Sequence, residues 1–235
     1  MRKTTAIGAA IAVVALSLAL SLALVGCGSS NKSASTATTT TTTSKTPSAK
    51  IPPRTAEQAP GPLPTIASYI AENGIQETRV HRGDPGSPTV TLPVPPGWAD
   101  AGTDTPDWAY GAIVYTGPEA ADYTPSIVAV VSKLTGNVDP QKIIDLAPGE
   151  LNNLSGWSPM NEGATSELGG YSAYQLAGSW DDNGTKKIVA QKTVVIPGSD
   201  GLYVLQLNAD GRDNQAGIVT AATDVVDQQT TITPP

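Results

Sequence analysis

One cysteine and one histidine carry much of the reactive chemistry that this 235-residue sequence could offer. His81 stands beside Arg82 and close to Asp84, a grouping that could act as a general base or contact a phosphate. No nucleophile accompanies it, because the sequence contains no GxSxG, HExxH or GxxxxGK[ST] segment. We therefore expect His81 to be an ordinary surface residue, and we expect no catalytic residue, no metal site and no cofactor.

A second candidate for acid–base chemistry is the pair Asp181 and Asp182, since adjacent carboxylates can share a proton-transfer task. The pair immediately precedes Asn183-Gly184, the dipeptide that most strongly predicts a tight β-hairpin. We therefore expect both aspartates to lie in a solvated turn.

Cys27 has no second cysteine with which to form a disulfide within the chain, and it ends the lipobox Leu24-Val25-Gly26-Cys27. Arg2 and Lys3 precede an uncharged apolar run over residues 6–25, as in a secretory signal peptide. We expect residues 1–26 to be a lipoprotein signal peptide that is removed. The Cys27 thiol would then carry the lipid anchor at the extracytoplasmic face of the cell membrane. The alternative, an uncleaved signal anchor, leaves residues 28–235 on the same side.

The composition places a tether after this cysteine. Residues 28–62 are dominated by Ser, Thr, Ala, Pro and Lys and include six consecutive threonines, so they cannot bury enough apolar surface to offset their ordering entropy. We expect residues 27–62 to form a lipidated, disordered tether, either O-glycosylated or unmodified. The net charge of −7 becomes −9 without residues 1–26, which excludes a nucleic-acid partner.

Residues 63–235 have the pattern of a single globular domain. Thr65 is placed to cap a short helix over residues 66–72, and Asp139-Pro140 is placed to open a second one. Asp210 and Asp213 are the capping candidates of a third helix, over residues 213–228. Between the helices we expect strands at residues 76–81, 89–94, 108–115, 126–134, 171–180, 186–196 and 202–208. This order predicts an α+β fold, an α/β/α layered sandwich whose central, mostly antiparallel sheet is flanked by helices.

The aromatic residues are the candidate ligand contacts. The chain has 4 Trp, 7 Tyr and no Phe, so each aromatic is either core material or the edge of a ligand cleft. Aromatic rings with a polar tip suit amphipathic ligands. The residues that we predict as ligand contacts are Trp98, Trp108, Tyr115, Trp157 and Trp180.

Several blocks of the sequence resemble the LpqN/LpqT family of mycobacterial envelope lipoproteins. They include Gly83-Asp84-Pro85-Gly86-Ser87-Pro88, Ala147-Pro148-Gly149-Glu150-Leu151 and Val204-Leu205-Gln206-Leu207-Asn208-Ala209-Asp210, besides the lipobox and the threonine-rich stalk. The resemblance implies a PsbP-like fold. It also implies a role with envelope glycolipids alongside membrane lipid exporters, and contacts with host proteins after partial release to the outside. It supplies no catalytic residues.

Two functional classes follow from these observations. In the first, the protein is a non-catalytic, lipid-anchored module that binds or transfers an envelope lipid or glycolipid. In the second, it docks on an envelope or host protein and has no small ligand. A cleft lined by apolar side chains would favour the first class, and a flat apolar surface patch would favour the second.

Overall fold

We describe residues 61–235 of the chain from a computed structural model. Eleven strands are numbered in chain order: β1 Gln76–Val80, β2 Thr89–Thr91, β3 Trp98–Asp100, β4 Gly111–Tyr115, β5 Ser126–Thr135, β6 Ser158–Pro159, β7 Ala164–Leu168, β8 Tyr171–Asp182, β9 Thr185–Gly198, β10 Gly201–Arg212 and β11 Thr231–Thr233. Four α-helices are numbered likewise: α1 Ile66–Glu72, α2 Pro140–Leu146, α3 Gly149–Asn152 and α4 Ala216–Gln229.

Nine of these strands form one antiparallel sheet. Its main path runs β3-β4-β5-β10-β9-β8-β6, while β1 lies beside β5 and β7 lies beside β8. The remaining strands, β2 and β11, pair with each other in a small antiparallel sheet. The long strands β8, β9 and β10 follow one another in the chain and in space, as the predicted meander requires.

The turn between β8 and β9 is dictated locally. Asn183 and Gly184 have φ angles of 52° and 86°, values that asparagine and glycine tolerate better than other residues. The hairpin predicted from this dipeptide is therefore confirmed. It fixes the register of β8 on β9, and hence which residues of both strands share a face.

Alternation along the strands gives the sheet two faces with separate cores. On one face, Val194, Ile196 and Leu205 pack beneath Val219 and Val226 of α4. We call this the α4 face. On the other face, Val195 and Val204 pack with Ile143 and Ile144 of α2, and Ile66 of α1 lies against them.

Two of the three predicted helix starts are confirmed. The Thr65 hydroxyl accepts a hydrogen bond from the Ser68 N–H at 3.1 Å, and the Asp139 carboxylate accepts one from the Gln141 N–H at 2.9 Å. The prediction that Asp210 and Asp213 cap the last helix is wrong. Asp210 belongs to β10, and Asp213 opens a 3-10 turn that ends at Gln215, where α4 begins without a side-chain cap.

The strand predictions differ from the structure mainly at the sheet edges. Strand β4 begins at Gly111, three residues later than expected, because a turn closes through the Ala109 N–H and the Pro106 carbonyl. Four short strands, β3, β6, β7 and β11, were not predicted. Each has five residues or fewer and is defined by its partner strand, so it has little periodicity of its own.

The α+β class with a large, mostly antiparallel sheet is confirmed, while a PsbP-like layering stays a prediction. Within residues 61–235, no helix is both long enough and apolar enough to cross a membrane. The predicted signal peptide, Cys27 and nearly all of the predicted tether lie outside the described residues.

Candidate functional site

Four polar side chains occupy the middle of the sheet face that lies opposite α4. Gln191 and Thr193 are neighbours on this face of β9, and Gln206 and Asn208 stand beside them on β10. Gln191, Thr193 and Asn208 are 4%, 0% and 6% exposed. Burial of uncompensated polar groups is costly, so the hydrogen bonds of this patch decide whether it is stable. We call these four residues the polar patch.

A chain of hydrogen bonds fixes the orientation of Asn208. Glu150, from α3, can only accept hydrogen bonds when ionised, and its Oε2 accepts one from Gln191 Nε2 at 3.0 Å. The same Nε2 donates to Asn208 Oδ1 at 2.9 Å. Because its oxygen is held as an acceptor, Asn208 must present its NH₂ group elsewhere as a donor.

Donors without partners are concentrated on this face. In residues 61–235, seven buried side-chain polar atoms form no hydrogen bond. All seven can donate, and five of them belong to residues on the face of the polar patch: Trp157 Nε1, Trp180 Nε1, Thr193 Oγ1, Asn208 Nδ2 and Arg212 Nε. The other two are the hydroxyls of Ser166 and Thr230. We therefore call the face opposite α4 the donor face.

Two tryptophans and a glycine shape one side of the donor face. Trp157 and Trp180 pack against the cluster of Leu151, Leu176 and Val189. Gly178 lies between Leu176 and Trp180 on this face of β8, and a Cβ there would lie only 2.5 Å from the Trp157 ring. A side chain at Gly178 would therefore displace Trp157, so the glycine allows the indole to lie against the sheet.

A charged and aromatic cluster closes one end of the donor face. The Lys187 ammonium lies 2.8 Å from the Asp182 carboxylate and 5.0 Å from the Tyr123 ring centroid. Tyr123 donates a hydrogen bond to Asp210, and burial together with that carboxylate raises the pKa of Tyr123. The predicted solvated turn is thus correct for the exposed Asp181, whereas Asp182 is half-buried and engaged with Lys187.

The sequence-predicted ligand contacts are divided between the two faces. Trp157 and Trp180 lie together on the donor face. Trp98 and Tyr115 lie on the α4 face, where their rings pack edge to face with centroids 5.9 Å apart. Trp108 packs apart from both pairs, against Ala112 and Val128, which share the face of Asn208, so it lies at the β4–β5 side of the donor face. A ligand-binding role for these five aromatics stays a prediction.

His81 is held by the loop around it. Its Nε2 lies 3.1 Å from the Asp107 carbonyl oxygen, and its backbone N–H donates to Asp84 at 2.7 Å. The described part of the chain contains no group of three or more His, Cys, Asp or Glu side chains placed to hold a metal ion.

The polar patch itself was not predicted as a site. Its residues lie within strands that read as ordinary β segments, and their burial depends on α3 and on the pairing of β9 with β10. The available signal was the alternation of polar residues Gln206 and Asn208 with apolar Leu205 and Leu207, which predicts a polar face on a central strand.

Comparison with known proteins identifies relatives over most of the described chain. A family described as probable lipoprotein LpqN matches residues 62–233. Lipoprotein LpqN of Mycobacterium tuberculosis is 52% identical over 177 residues, which are 75% of this chain and 77% of that protein.

Solved structures agree with the sequence match. A crystal structure described as LpqN involved in cell envelope biogenesis of Mycobacterium tuberculosis is similar with a TM-score of 0.70 and 52% identity, covering 74% of this chain and all of that one. The Ran-binding protein Mog1p of Saccharomyces cerevisiae matches at 18% identity over 66% of this chain and 90% of its own, with a TM-score of 0.38. From the extent and identity of the LpqN matches, this chain belongs to the LpqN family of lipoproteins.

Proposed function

We propose that this protein is a non-catalytic, lipid-anchored protein of the cell envelope that binds an envelope lipid or glycolipid. Cys27 would carry the anchor on the extracytoplasmic side of the membrane, and the donor face would hold the ligand. Membership of the LpqN family supports the envelope location, since a 52% identical relative is described as involved in cell envelope biogenesis. Binding to a membrane exporter or a host protein stays a prediction.

The observation that carries the proposal is the set of unpartnered donors on the donor face. Buried donors in native proteins are nearly always paired, so five on one face call for a partner. Apolar side chains of two clusters flank them, among them Leu176, Val128 and two indole rings. Polar donors among apolar walls suit a ligand with a polar group and hydrocarbon chains.

The alternative function, docking on a protein through an apolar patch, has less support. Within residues 61–235, the large hydrophobic side chains that are clearly exposed are Leu63, Val94 and Met160. They come from three different connecting segments. A docking surface of useful size would need a contiguous apolar patch.

Native mass spectrometry tests the proposal directly. The full chain, extracted from its own envelope in detergent, is expected to carry a lipid mass that tandem dissociation releases. Replacement of Trp157 by leucine removes one of the two indole rings on the donor face and should lower the lipid-bound fraction. His81→Ala should leave that fraction unchanged. A lipid-free chain combined with salt-sensitive retention of a protein would instead favour the docking function.

Titration separates apolar from electrostatic binding. Affinity that rests on burial of acyl chains should persist at high salt and fall as the chains are shortened, at roughly 25 cal/mol per Å² of apolar surface lost. Attraction to the acidic surface would be screened beyond about 8–10 Å at physiological salt. Tryptophan fluorescence of the full chain provides the readout, and binding that disappears at high salt would contradict the proposal.

The anchor is tested separately. The Cys27 thiol is the only one in the chain, so Cys27→Ser should abolish incorporation of a palmitate analogue. Equal labelling of the serine variant and the unaltered protein would show that the lipobox assignment is wrong.

A further inference from the structure

We infer that the polar patch binds the ester carbonyl of a neutral acyl lipid, with Asn208 Nδ2 and Thr193 Oγ1 as the hydrogen-bond donors. This inference rests on the proposed function and specifies which chemical group of the lipid the donor face recognises. Three features lead to it: the donor character of the unpaired groups, the apolar residues on either side of the patch, and the charge around it.

The free groups of the patch are donors. Asn208 Oδ1 is occupied by Gln191, so only the Asn208 NH₂ group remains available. Thr193 Oγ1 is completely buried and also lacks a partner. The two residues are diagonal neighbours on adjacent strands, since Thr193 pairs with Gln206 and Asn208 pairs with Gln191. At this spacing, two side chains can approach one polar group of a ligand.

Apolar side chains border the patch on both sides. Leu176 and Tyr174 stand next to Gln191 and Thr193 across the β8–β9 pair, and they belong to the clusters of the donor face. Across the β10–β5 pair, Val128 and Val130 stand next to Asn208 and Gln206. An acyl lipid that crosses the strands here would contact apolar, then polar, then again apolar side chains. An ester group between hydrocarbon segments has the same order.

The surrounding charge disfavours an anionic group at this place. The carboxylate of Glu150 is part of the patch's hydrogen-bond network. Residues 61–235 contain eight Lys and Arg against twenty Asp and Glu, a net charge of −12. A free fatty-acid carboxylate or a phosphodiester would be repelled by both. A neutral carbonyl oxygen accepts hydrogen bonds and carries no net charge.

Three probes with the same chain length separate these possibilities: 1-monotetradecanoylglycerol, its ether analogue 1-O-tetradecylglycerol, and tetradecanoate. The purified full chain, held in a detergent without ester groups, is titrated with each while tryptophan fluorescence is followed. The ester is expected to bind about three- to tenfold more tightly than the ether, the range for one or two net hydrogen bonds. Tetradecanoate is expected to bind most weakly.

Variants locate the preference. Thr193→Val and Asn208→Leu replace the donors with apolar groups that have the same branching of heavy atoms, and each should abolish the ester-over-ether preference while ether binding persists. Thr230→Val is the matched control, because the Thr230 hydroxyl is also buried and unpartnered but follows α4. Thermal unfolding accompanies each titration. Thr193→Val should not lower the melting temperature, because the Thr193 hydroxyl has no partner in the free protein. Asn208→Leu also removes an acceptor of Gln191 Nε2, which keeps Glu150, so a small loss of melting temperature is expected for that variant.

Each outcome decides a specific point. Equal binding of ester and ether by the unaltered protein, or a preference that survives both donor variants, would overturn the carbonyl assignment and leave the proposed lipid binding intact. Tighter binding of tetradecanoate would also overturn it. Absence of binding by all three probes would overturn the proposed function and this inference together.

Discussion

On the α4 face, Val194, Ile196 and Leu205 are 0% exposed and pack among other apolar side chains. On the same two strands, one residue from Val194 and three residues from Leu205, Thr193 and Asn208 point to the other side and are buried with unpaired donors. The α4 face therefore contributes stability through packing. The donor face carries a cost that a stable fold tolerates when the polar groups serve another purpose. This difference separates the part of the sheet that holds the fold from the part that we expect to bind a ligand.

The largest expected effect is on the α4 face. Leu205→Ala should lower the free energy of unfolding by about 2–5 kcal/mol, because it removes a fully buried side chain and leaves a cavity. Thr193→Val, on the neighbouring strand but on the donor face, should be neutral or stabilising by up to about 1 kcal/mol. Urea unfolding followed by circular dichroism measures both. A comparable loss in the two variants would show that the faces do not differ as described.

A smaller effect is expected from the ion pairs. Lys192 is nearly buried on the α4 face, and its ammonium lies 2.8 Å from Asp227 near the end of α4. Asp227→Asn should lower the free energy of unfolding by about 1–3 kcal/mol, because it leaves the Lys192 ammonium without its carboxylate. Partial exposure of Asp227 to solvent keeps the loss below that of a fully buried pair. Asp182→Asn on the donor face should cost less, because Lys187 retains Asp210 at 3.9 Å. Equal losses in chemical denaturation would contradict this ranking.

Substitution of alanine for one glycine on the donor face and for one in α4 tests how much space each position leaves for a new Cβ. Gly178→Ala should lower stability by about 1–3 kcal/mol, because the new Cβ would collide with the Trp157 ring and the Ser158 carbonyl oxygen. Gly217→Ala, in α4 where the added Cβ meets open space, should raise stability by about 0.4–1 kcal/mol. Differential scanning calorimetry measures both, and tryptophan emission should shift only in the Gly178 variant. If Gly178→Ala changed neither the melting temperature nor the tryptophan emission, Trp157 would not lie against Gly178 as described.

The smallest effect concerns high pH. Burial and Asp210 raise the pKa of Tyr123 above its ordinary value of 10.0, so the folded protein retains the phenolic proton longer than the unfolded chain. Stability from this group is complete below pH 10 and is lost as the pH rises above it. Tyr123→Phe should therefore flatten the decline of the melting temperature above pH 10. A decline as steep as in the unaltered protein would remove Tyr123 as its cause.

The predictions from sequence succeeded where short-range chemistry decides the outcome. Thr65 and Asp139 cap helices because a side-chain oxygen reaches an N–H two or three residues ahead, whatever the rest of the fold does. The helix-cap prediction failed for Asp210, because that side chain is bound to Tyr123, 87 residues away in sequence. Local capping preference was overruled by a contact that only the folded sheet creates.

By itself, the sequence determined the α+β class, the central β8–β9–β10 meander and the Asn183-Gly184 turn. Hydrophobic alternation and positive-φ residues act over a few residues and can be read directly. Only the tertiary structure decided that Trp157 and Trp180 lie on one face while Trp98 and Tyr115 lie on the other. It also decided that Glu150 orients Gln191 and Asn208. These outcomes depend on strand register and on which helix covers which face, so they follow from contacts between residues that lie far apart in the chain.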